Sequence, residues 1–555
     1  GMLLARTLRD AGVTTLFALP GGHILSLLDA CSHHGIRVID TRHEGAAALA
    51  AEGWALATGD TGVCAVTAGP GFANGLIGLI DASAWSVPLL FISGRTALAS
   101  QGRGAVMDID QRAMVSPLAK WAASCPRTGA VPRYAAESLY RARSGCPGAV
   151  YLDVPWDVMD ASAAVLDVAA PGFPSTAPRP AGTPEDIGAA LAALRNAERP
   201  LIVAGSGVFW SDAGDELARF CESAHIPVIT ASAARGTVAD SHEWCLGSLV
   251  HGGIAMPSAD CVMVVGSAFN ANVMFGSAPL FGAEQRIIQV DIDPARVGGN
   301  RTPDVAVTGD ARHVLHDLRA AWRAGGEDGR GAWLQRAREL AAASLGFWDR
   351  QIDEYTGSGV HAGAVARELA DYTAARFGGD ITLVADGGDA LSWALAYFTA
   401  QKPGRLLSTT TALGTLGVGM PFALAAKAAR PNEPVLLFTG DGSLGLTAME
   451  IDTAVRHNLP LVVVVSNNAG WGDVRHEQDA AFGPNRHVAS ELNPTRYDLL
   501  AQALGARGEH VQRMDDLRPA LQRAFDSGEC TVIDVSTDPS VLSDLLRMVS
   551  SFGLM

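Results

Sequence analysis

Val435-Leu-Leu-Phe-Thr-Gly440-Asp441-Gly442-Ser443 and, after a helix-like stretch, Leu461-Val-Val-Val-Val465-Ser-Asn467-Asn468 decide the fold. Two apolar runs, the second dense in β-branched residues, each end abruptly in polar oxygen donors. Apolar runs joined by a helix predict a parallel βαβ unit, whose strand ends open on the same edge of the sheet. Neighbouring strands lie roughly 4.8 Å apart, so the Asp441 carboxylate and the Asn468 amide oxygen can meet at one hard cation. Oxygen ligands without nearby Cys or His favour Mg²⁺ over Zn²⁺. Such a cation usually completes its shell with phosphate oxygens. Gly440, Gly442 and Ser443 stand where backbone N–H groups at a helix start would receive a diphosphate.

The letters Gly440-Asp-Gly442-Ser-Leu-Gly445 also match the dinucleotide pattern G-x-G-x-x-G. An NAD site needs an acid at the end of the next strand to hold the ribose. That strand ends Ser466-Asn467-Asn468, without a carboxylate. Asp441 would also repel a pyrophosphate unless a metal stood between them. Metal–diphosphate is therefore the preferred reading.

The remaining sequence fits a globular protein with large cores. The chain has 555 residues, 48% hydrophobic and 18% charged, and a formal net charge of −16. This length predicts about three domains. The acidity argues against nucleic-acid binding, which needs basic surface. No stretch reaches the roughly 20 apolar residues of a membrane span. The N-terminus begins an amphipathic pattern at once, so no signal peptide is expected. The eight cysteines include no C-x-x-C pair, and several sit in apolar runs, as expected of buried thiols in a reducing cytoplasm.

Three α/β units are expected, over 1–168, 185–325 and 356–555, separated by Pro/Gly-rich stretches at 169–184 and 325–331 and a joint at 355–359. Strands are expected at 15–18, 63–67, 89–93 and 150–154, then at 201–204, 228–230, 261–265 and 287–290. Strands alternating with helices imply parallel sheets. The first and third units are similar in size and order.

The first unit holds Asp40-Thr-Arg-His43-Glu44-Gly45-Ala-Ala-Ala-Leu-Ala-Ala-Glu52-Gly53-Trp54. A Glu opening a helix is commonly a surface residue that suits the helix dipole. The small-residue run after it implies close packing against another helix or a subunit, which would bury Glu44. A buried carboxylate can exchange protons near neutrality.

Together the two constellations resemble the thiamine-diphosphate (ThDP) enzymes of the acetolactate synthase and benzaldehyde lyase group. The resemblance spans nearly the whole chain and is strongest over 40–71, 152–157 and 413–486. Asn468 follows Asp441 by 27 positions, as in the family's thiamine motif. The segments 151–157 and 482–486 look especially like benzaldehyde lyase. The resemblance implies three Rossmann-like parallel-sheet domains: pyrimidine-binding, central and diphosphate-binding. It implies that Glu44 hydrogen-bonds the cofactor's aminopyrimidine and drives deprotonation of the thiazolium carbon. Asp441, Asn468 and the Gly470 carbonyl match Mg²⁺ ligands, and Gly440, Gly442 and Ser443 match the diphosphate segment. Leu416 matches the bulky apolar wedge beneath the cofactor, a position where many relatives carry Met. Gly414 would offer its carbonyl to the pyrimidine. In the family Glu44 acts across a dimer interface, which implies a homodimer or homotetramer.

The implied reaction is cleavage or formation of a carbon–carbon bond in 2-keto acids, aldehydes or acyloins. The alternative is a 2-hydroxyacyl-CoA lyase or oxalyl-CoA-type decarboxylase, which needs an anion-binding central domain and a closing tail. The tail at 545–555 is short and lacks a basic cluster. A non-catalytic relative is disfavoured by the retained Glu44, Asp441 and Asn468.

His23 matches a benzaldehyde lyase active-site histidine that relays protons, or else is a loop histidine bonded locally. The family's active-site glutamine falls near Val106-Met107, where neither residue is Gln; Gln111 takes that role only if the loop is displaced. Asp473 stands where relatives place an apolar or small residue facing the substrate. It either binds a cationic or hydroxylated group, donates a proton, or points to solvent. His476 is a second candidate for proton transfer. In the central unit Gly266-Ser-Ala-Phe-Asn-Ala-Asn272 lacks the arginines of FAD-binding relatives, and Ser144-Gly-Cys-Pro-Gly148 lacks the Arg of ADP- or CoA-binding ones. Neither FAD nor ADP is therefore expected.

Overall fold

Three parallel sheets, each covered by helices, make up the chain in a computed structural model that describes residues 1–174, 176–322, 330–408, 413–484 and 486–543. Parts of the stretches at 169–184, 325–331 and 482–486, and all of the tail at 545–555, lie outside the described residues.

The first sheet is built from β1 (Thr15–Ala18), β2 (Arg37–Asp40), β3 (Gly62–Val66), β4 (Leu89–Arg95), β5 (Trp121–Ser124) and β6 (Val150–Pro155). The central sheet holds β7 (Pro200–Ala204), β8 (Val228–Thr230), β9 (Cys261–Val265), β10 (Arg286–Asp291) and β11 (Val305–Thr308). The last sheet holds β12 (Thr382–Asp386), β13 (Leu406–Ser408), β14 (Val435–Gly440), β15 (Val462–Asn467), β16 (Arg507–Val511) and β17 (Thr531–Ser536). Every pairing between these strands is parallel. The first sheet runs β2-β1-β3-β4-β6-β5 and the last β13-β12-β14-β15-β17-β16. Counted from each sheet's own first strand, these orders are identical. The central sheet, β11-β10-β9-β7-β8, is different.

Both faces of each sheet are covered, so central strands read as unbroken apolar runs; β14 and β15 are buried along nearly their whole length. The helix Glu44–Thr58 owes its place to small residues. His43 caps its start by accepting from the Gly45 N–H, and it ends at Gly59 with φ of 79°, a left-handed conformation suited to glycine. A Cβ on Gly78, in the helix Pro70–Trp85, would stand 2.6 Å from the Ala48 methyl. One on Gly53 would stand 2.8 Å from Cα of Phe422, in the helix Gly419–Ala429. Three helices thus meet at near-backbone distance, two from the first unit and one from the third. One apolar core runs through both units, joining Phe17 and Ala48 to Phe422, Leu437 and Val463. The central unit keeps its own core.

Polar contacts reinforce the junction. The Arg42 N–H donates to the Glu450 carboxylate at 3.1 and 3.2 Å. Asp40 accepts from Arg456 at 2.6 Å and faces His457 Nε2 at 2.8 Å. All eight cysteines are free thiols, and all but Cys146 are buried. Among the described residues no helix is long and apolar enough to cross a membrane.

Candidate active site

β14 and β15 are neighbours in register, with Gly440 opposite Ser466. Their ends therefore deliver Asp441 and Asn468 to one corner of the sheet edge. Asp441 is the first residue of the helix Asp441–Thr447 and is buried. Its Oδ2 accepts from the Gly470 N–H at 3.1 Å, and its carbonyl accepts from the Tyr497 hydroxyl at 2.9 Å. Burial pushes its carboxyl up to about 6, against the main-chain donors at Gly470 and Gly442. Asn468 Oδ1 is buried and accepts no hydrogen bond. An amide oxygen left bare at this depth costs free energy unless a cation or water meets it. Among the described residues no group of three or more His, Cys, Asp or Glu side chains is placed to hold a metal. A cation here would depend on one carboxylate, one amide oxygen and a main-chain carbonyl, a donor set that suits a hard ion.

The cradle beside this corner is shaped by glycines. Gly440 is extended, with φ of −79° and ψ of 160°, and leads straight into the helix. A Cβ on Gly442 would stand 2.7 Å from the Trp471 ring. Ser443 is buried, and its hydroxyl lies 3.3 Å from where a Cβ on Gly387 would sit. Gly414 and Gly417 take φ of 71° and 80° on either side of Thr415 and half-buried Leu416. The Thr447 hydroxyl holds the Gly417 carbonyl at 2.9 Å.

Asp473 and His476 lie on the helix Gly472–Phe482, which starts beside the same corner. Asp473 packs against Gly388, and burial followed by the Glu477 charge raises its carboxyl to about 6. His476 is turned inward, its Nε2 3.8 Å from Asp389 Oδ2. Sequence reasoning missed Asp389. It opens the helix Asp389–Tyr397 just past β12, and both its oxygens are buried without a hydrogen-bond donor. Burial and the Asp473 charge push its carboxyl up to about 8, with Arg475 opposing. Asp386-Gly-Gly-Asp389 reads as an ordinary strand-end turn. Its only signal is a third strand end beside Asp441, since β12 pairs directly with β14.

Glu44 and His23 belong to the other sheet. Glu44 is buried, and its Oε2 accepts from the Asn74 amide at 3.0 Å. His23 Nδ1 meets the Thr67 hydroxyl at 3.1 Å, and the ring edges against Trp156. Burial lowers its pKa, favouring the neutral ring. Within one chain neither Glu44 nor His23 bonds to Asp441, Ser443, Asn468 or Gly470. Gln111 does not reach an open site. It is fully buried, its amide nitrogen within bonding distance of the Ser93 and Tyr151 hydroxyls and the Gly94 carbonyl. Its oxygen accepts from the Gly69 N–H at 3.0 Å. Its hydrogen-bonding capacity is spent on fastening the first sheet's edge.

Three family models match in order: the thiamine pyrophosphate enzyme N-terminal domain over residues 1–114, the central domain over 187–318 and the C-terminal domain over 386–535. The acetolactate synthase large subunit IlvG of Mycobacterium tuberculosis is 38% identical over 548 residues, covering 98% of this chain and 96% of the relative. The chain belongs to the thiamine pyrophosphate enzymes. It is a ThDP-dependent enzyme of the acetolactate synthase group. The acetolactate synthase isozyme 2 large subunit of Escherichia coli is 30% identical over 540 residues, covering 96% of this chain and 95% of the relative. A 2-hydroxyacyl-CoA lyase of Oryza sativa is 30% identical over 565 residues, covering 98% and 96%.

In this thiamine enzyme a cleft open to solvent also lies between the first and central units, lined by Trp85, Gly207, Gly266, Asp291 and Arg296. Arg296 donates to the Ser86 hydroxyl at 2.7 Å. It is a cleft arginine outside the two segments in which sequence reasoning looked for one.

Proposed function

We propose that the chain is a Mg²⁺- and ThDP-dependent carboligase or lyase acting on 2-keto acids, aldehydes or acyloins. The observation that carries this reading is the bare Asn468 Oδ1 beside Asp441, at the ends of neighbouring strands. Asp441, Asn468 and the Gly470 carbonyl would hold the metal. The N–H groups around Gly440, Gly442 and Ser443 would receive the diphosphate. Gly414 and Leu416 would seat the pyrimidine half. Bound ThDP would supply an electron sink that stabilises carbanion character on the former carbonyl carbon of the donor.

The protein groups then manage protons and water. Glu44 exchanges a proton with the pyrimidine ring. His23, with Nδ1 engaged by Thr67, keeps Nε2 for a substrate hydroxyl. Asp473 and His476 are the candidate polar groups on the acceptor side. The separation of Glu44 from the diphosphate corner within one chain supports a complete site built with the partner subunit's Glu44, in a homodimer or homotetramer. Free, mostly buried thiols support a cytoplasmic setting. The same reading includes no FAD and no ADP, on the segments at 144–148 and 266–272 that lack arginine.

Purified protein stripped of cofactor tests the reading. CO₂ release from 2-keto acids, or acyloin formation and cleavage, should return only with ThDP and Mg²⁺ together. A second reading, the 2-hydroxyacyl-CoA lyase, is favoured by the similarity to the rice lyase. A panel of pyruvate, benzaldehyde, benzoin and a 2-hydroxyacyl-CoA separates the two, because only the lyase would require the CoA ester.

A further inference from the structure

The segment 414–417 has little local reason to hold one shape. Two of its four residues are glycines at positive φ, and it belongs to neither β13 nor the helix Gly419–Ala429. Its side-chain tethers come from outside. One is the Thr447 hydroxyl on the Gly417 carbonyl. Another is the Asp386 carboxylate on the Gly417 N–H, and a further one is Asp81, whose Oδ1 accepts from the Thr415 hydroxyl at 2.8 Å across a gap of 334 residues. Asp81 and Thr415 are both buried, Asp81 almost completely.

Asp81 is itself held from behind. Glu52, on the helix Glu44–Thr58, is fully buried, and neither of its oxygens meets an ordinary donor. The group it faces is the Asp81 carboxyl. Two carboxyl groups in contact away from water must share a proton. Burial raises both carboxyls, so they share a proton across their contact. Asp81 thus faces Glu52 on one side and accepts from the Thr415 hydroxyl on the other.

The register of one helix gives this contact its meaning. Asn74 and Asp81 stand seven residues apart on Pro70–Trp85, about two turns, and share a face. Asn74 bonds Glu44, and Asp81 bonds the neighbour of Leu416. A single helix face therefore registers two sites, through the Glu44 that on this reading serves the neighbouring subunit's cofactor and through the candidate pyrimidine wedge of this chain's own.

We propose that Asp81, backed by Glu52, is a positioning residue that sets residues 414–417 for the pyrimidine half of the cofactor. The inference rests on the assignment of Leu416 and Gly414 to that half. A hydroxyl donating to a carboxylate is among the stronger hydrogen bonds, and losing it frees the wedge without removing it.

The test is ThDP affinity at saturating Mg²⁺, read by quenching of intrinsic tryptophan fluorescence, in the full-length wild type and the variants Thr415→Val, Thr415→Ser, Asp81→Ala, Asp81→Asn, Leu416→Ala and the Asp81→Ala/Thr415→Val pair. Thr415→Val and Asp81→Ala should each weaken ThDP binding about tenfold, and the pair no more than either alone, the mark of a shared interaction. Thr415→Ser and Asp81→Asn keep a donor and an acceptor and should bind within about threefold of wild type. Wild-type ThDP affinity in Thr415→Val, or additive losses in the pair, overturns the proposal if Leu416→Ala still loses affinity. A change in melting temperature alone, with ThDP affinity intact, also overturns it. If Leu416→Ala itself binds ThDP normally, the assignment of this segment to the cofactor fails, and the proposal with it.

Discussion

The Gly470 N–H donates to Asp441 Oδ2 at 3.1 Å, tying the loop after β15 to the first residue after β14. The bond fixes one carboxylate oxygen while Asn468, two residues before Gly470, keeps its own oxygen bare. One donor set is thereby assembled from two strands that share a sheet edge. Asp441→Ala removes the only carboxylate of that set. It should abolish Mg²⁺-dependent retention of ThDP, a loss of at least about a hundredfold in affinity on the scale of losing a charged metal ligand. Equilibrium dialysis with and without Mg²⁺ checks this, and unchanged retention would refute the metal assignment.

Glu44 is buried with a single side-chain donor, the Asn74 amide. Glu44→Gln preserves the shape and removes the exchangeable proton. Turnover should fall by two orders of magnitude or more, the scale of positioned acid–base catalysis, while ThDP still binds. Steady-state rates beside a ThDP titration make the comparison, and wild-type turnover would remove Glu44 from the chemistry.

Gly53 lets the helix Glu44–Thr58 approach Phe422 of the third unit. A methyl there would stand 2.8 Å from both Phe422 Cα and the ring. Gly53→Ala should cost about 1–3 kcal/mol, as overpacking in a dense core does, despite the better helix propensity of Ala. Chemical denaturation measures it. A stabilised variant would mean that the interface yields more easily than this packing implies.

Asp153 supplies a pH signature distant from the candidate site. It is buried on β6, accepts from Ser124 and pairs with Arg95 at 3.5 Å, yet burial outweighs these and raises its carboxyl to about 6. The folded chain then binds more protons than the unfolded chain between about pH 4 and pH 6. This contribution to stability is lost as pH rises through that window, by about 3 kcal/mol at most. Asp153→Asn should flatten that part of the stability–pH curve whatever its constant offset. An unchanged slope would show that Asp153 titrates normally.

Much of this architecture is legible in the sequence because its central strands are buried on both faces. β3, β9, β14 and β15 are continuous apolar runs with polar ends, and that contrast marks both the strand and the sheet edge. β2, β5, β11 and β16 escape such reading, because each lies at or beside a sheet's end with partly exposed residues and no unbroken apolar run. The Asp441–Asn468 pairing is legible because strand, helix and strand are contiguous in the chain. The contacts that span the chain are not. Asp389 lies beside Asp473 and His476 only because β12 inserts next to β14, and Asp81 meets Thr415 only because two helices of different units pack at glycine distance. Gln111 could be read as the family's glutamine only if its loop were displaced, and what holds it elsewhere, Gly69, Gly94 and Tyr151, lies far from it in sequence.

The central claim is that the bare oxygen of Asn468, with Asp441, serves a metal that anchors ThDP for carbon–carbon bond chemistry. Its most direct test is CO₂ release from pyruvate by stripped protein, with acetolactate or acyloin followed in the same reaction, across a matrix of ThDP and Mg²⁺ concentrations. The account predicts product only where both are present, with Mg²⁺ dependence lost in Asp441→Ala. Product formed by stripped protein without ThDP, or equal turnover by wild type and Asp441→Ala at limiting Mg²⁺, would contradict it.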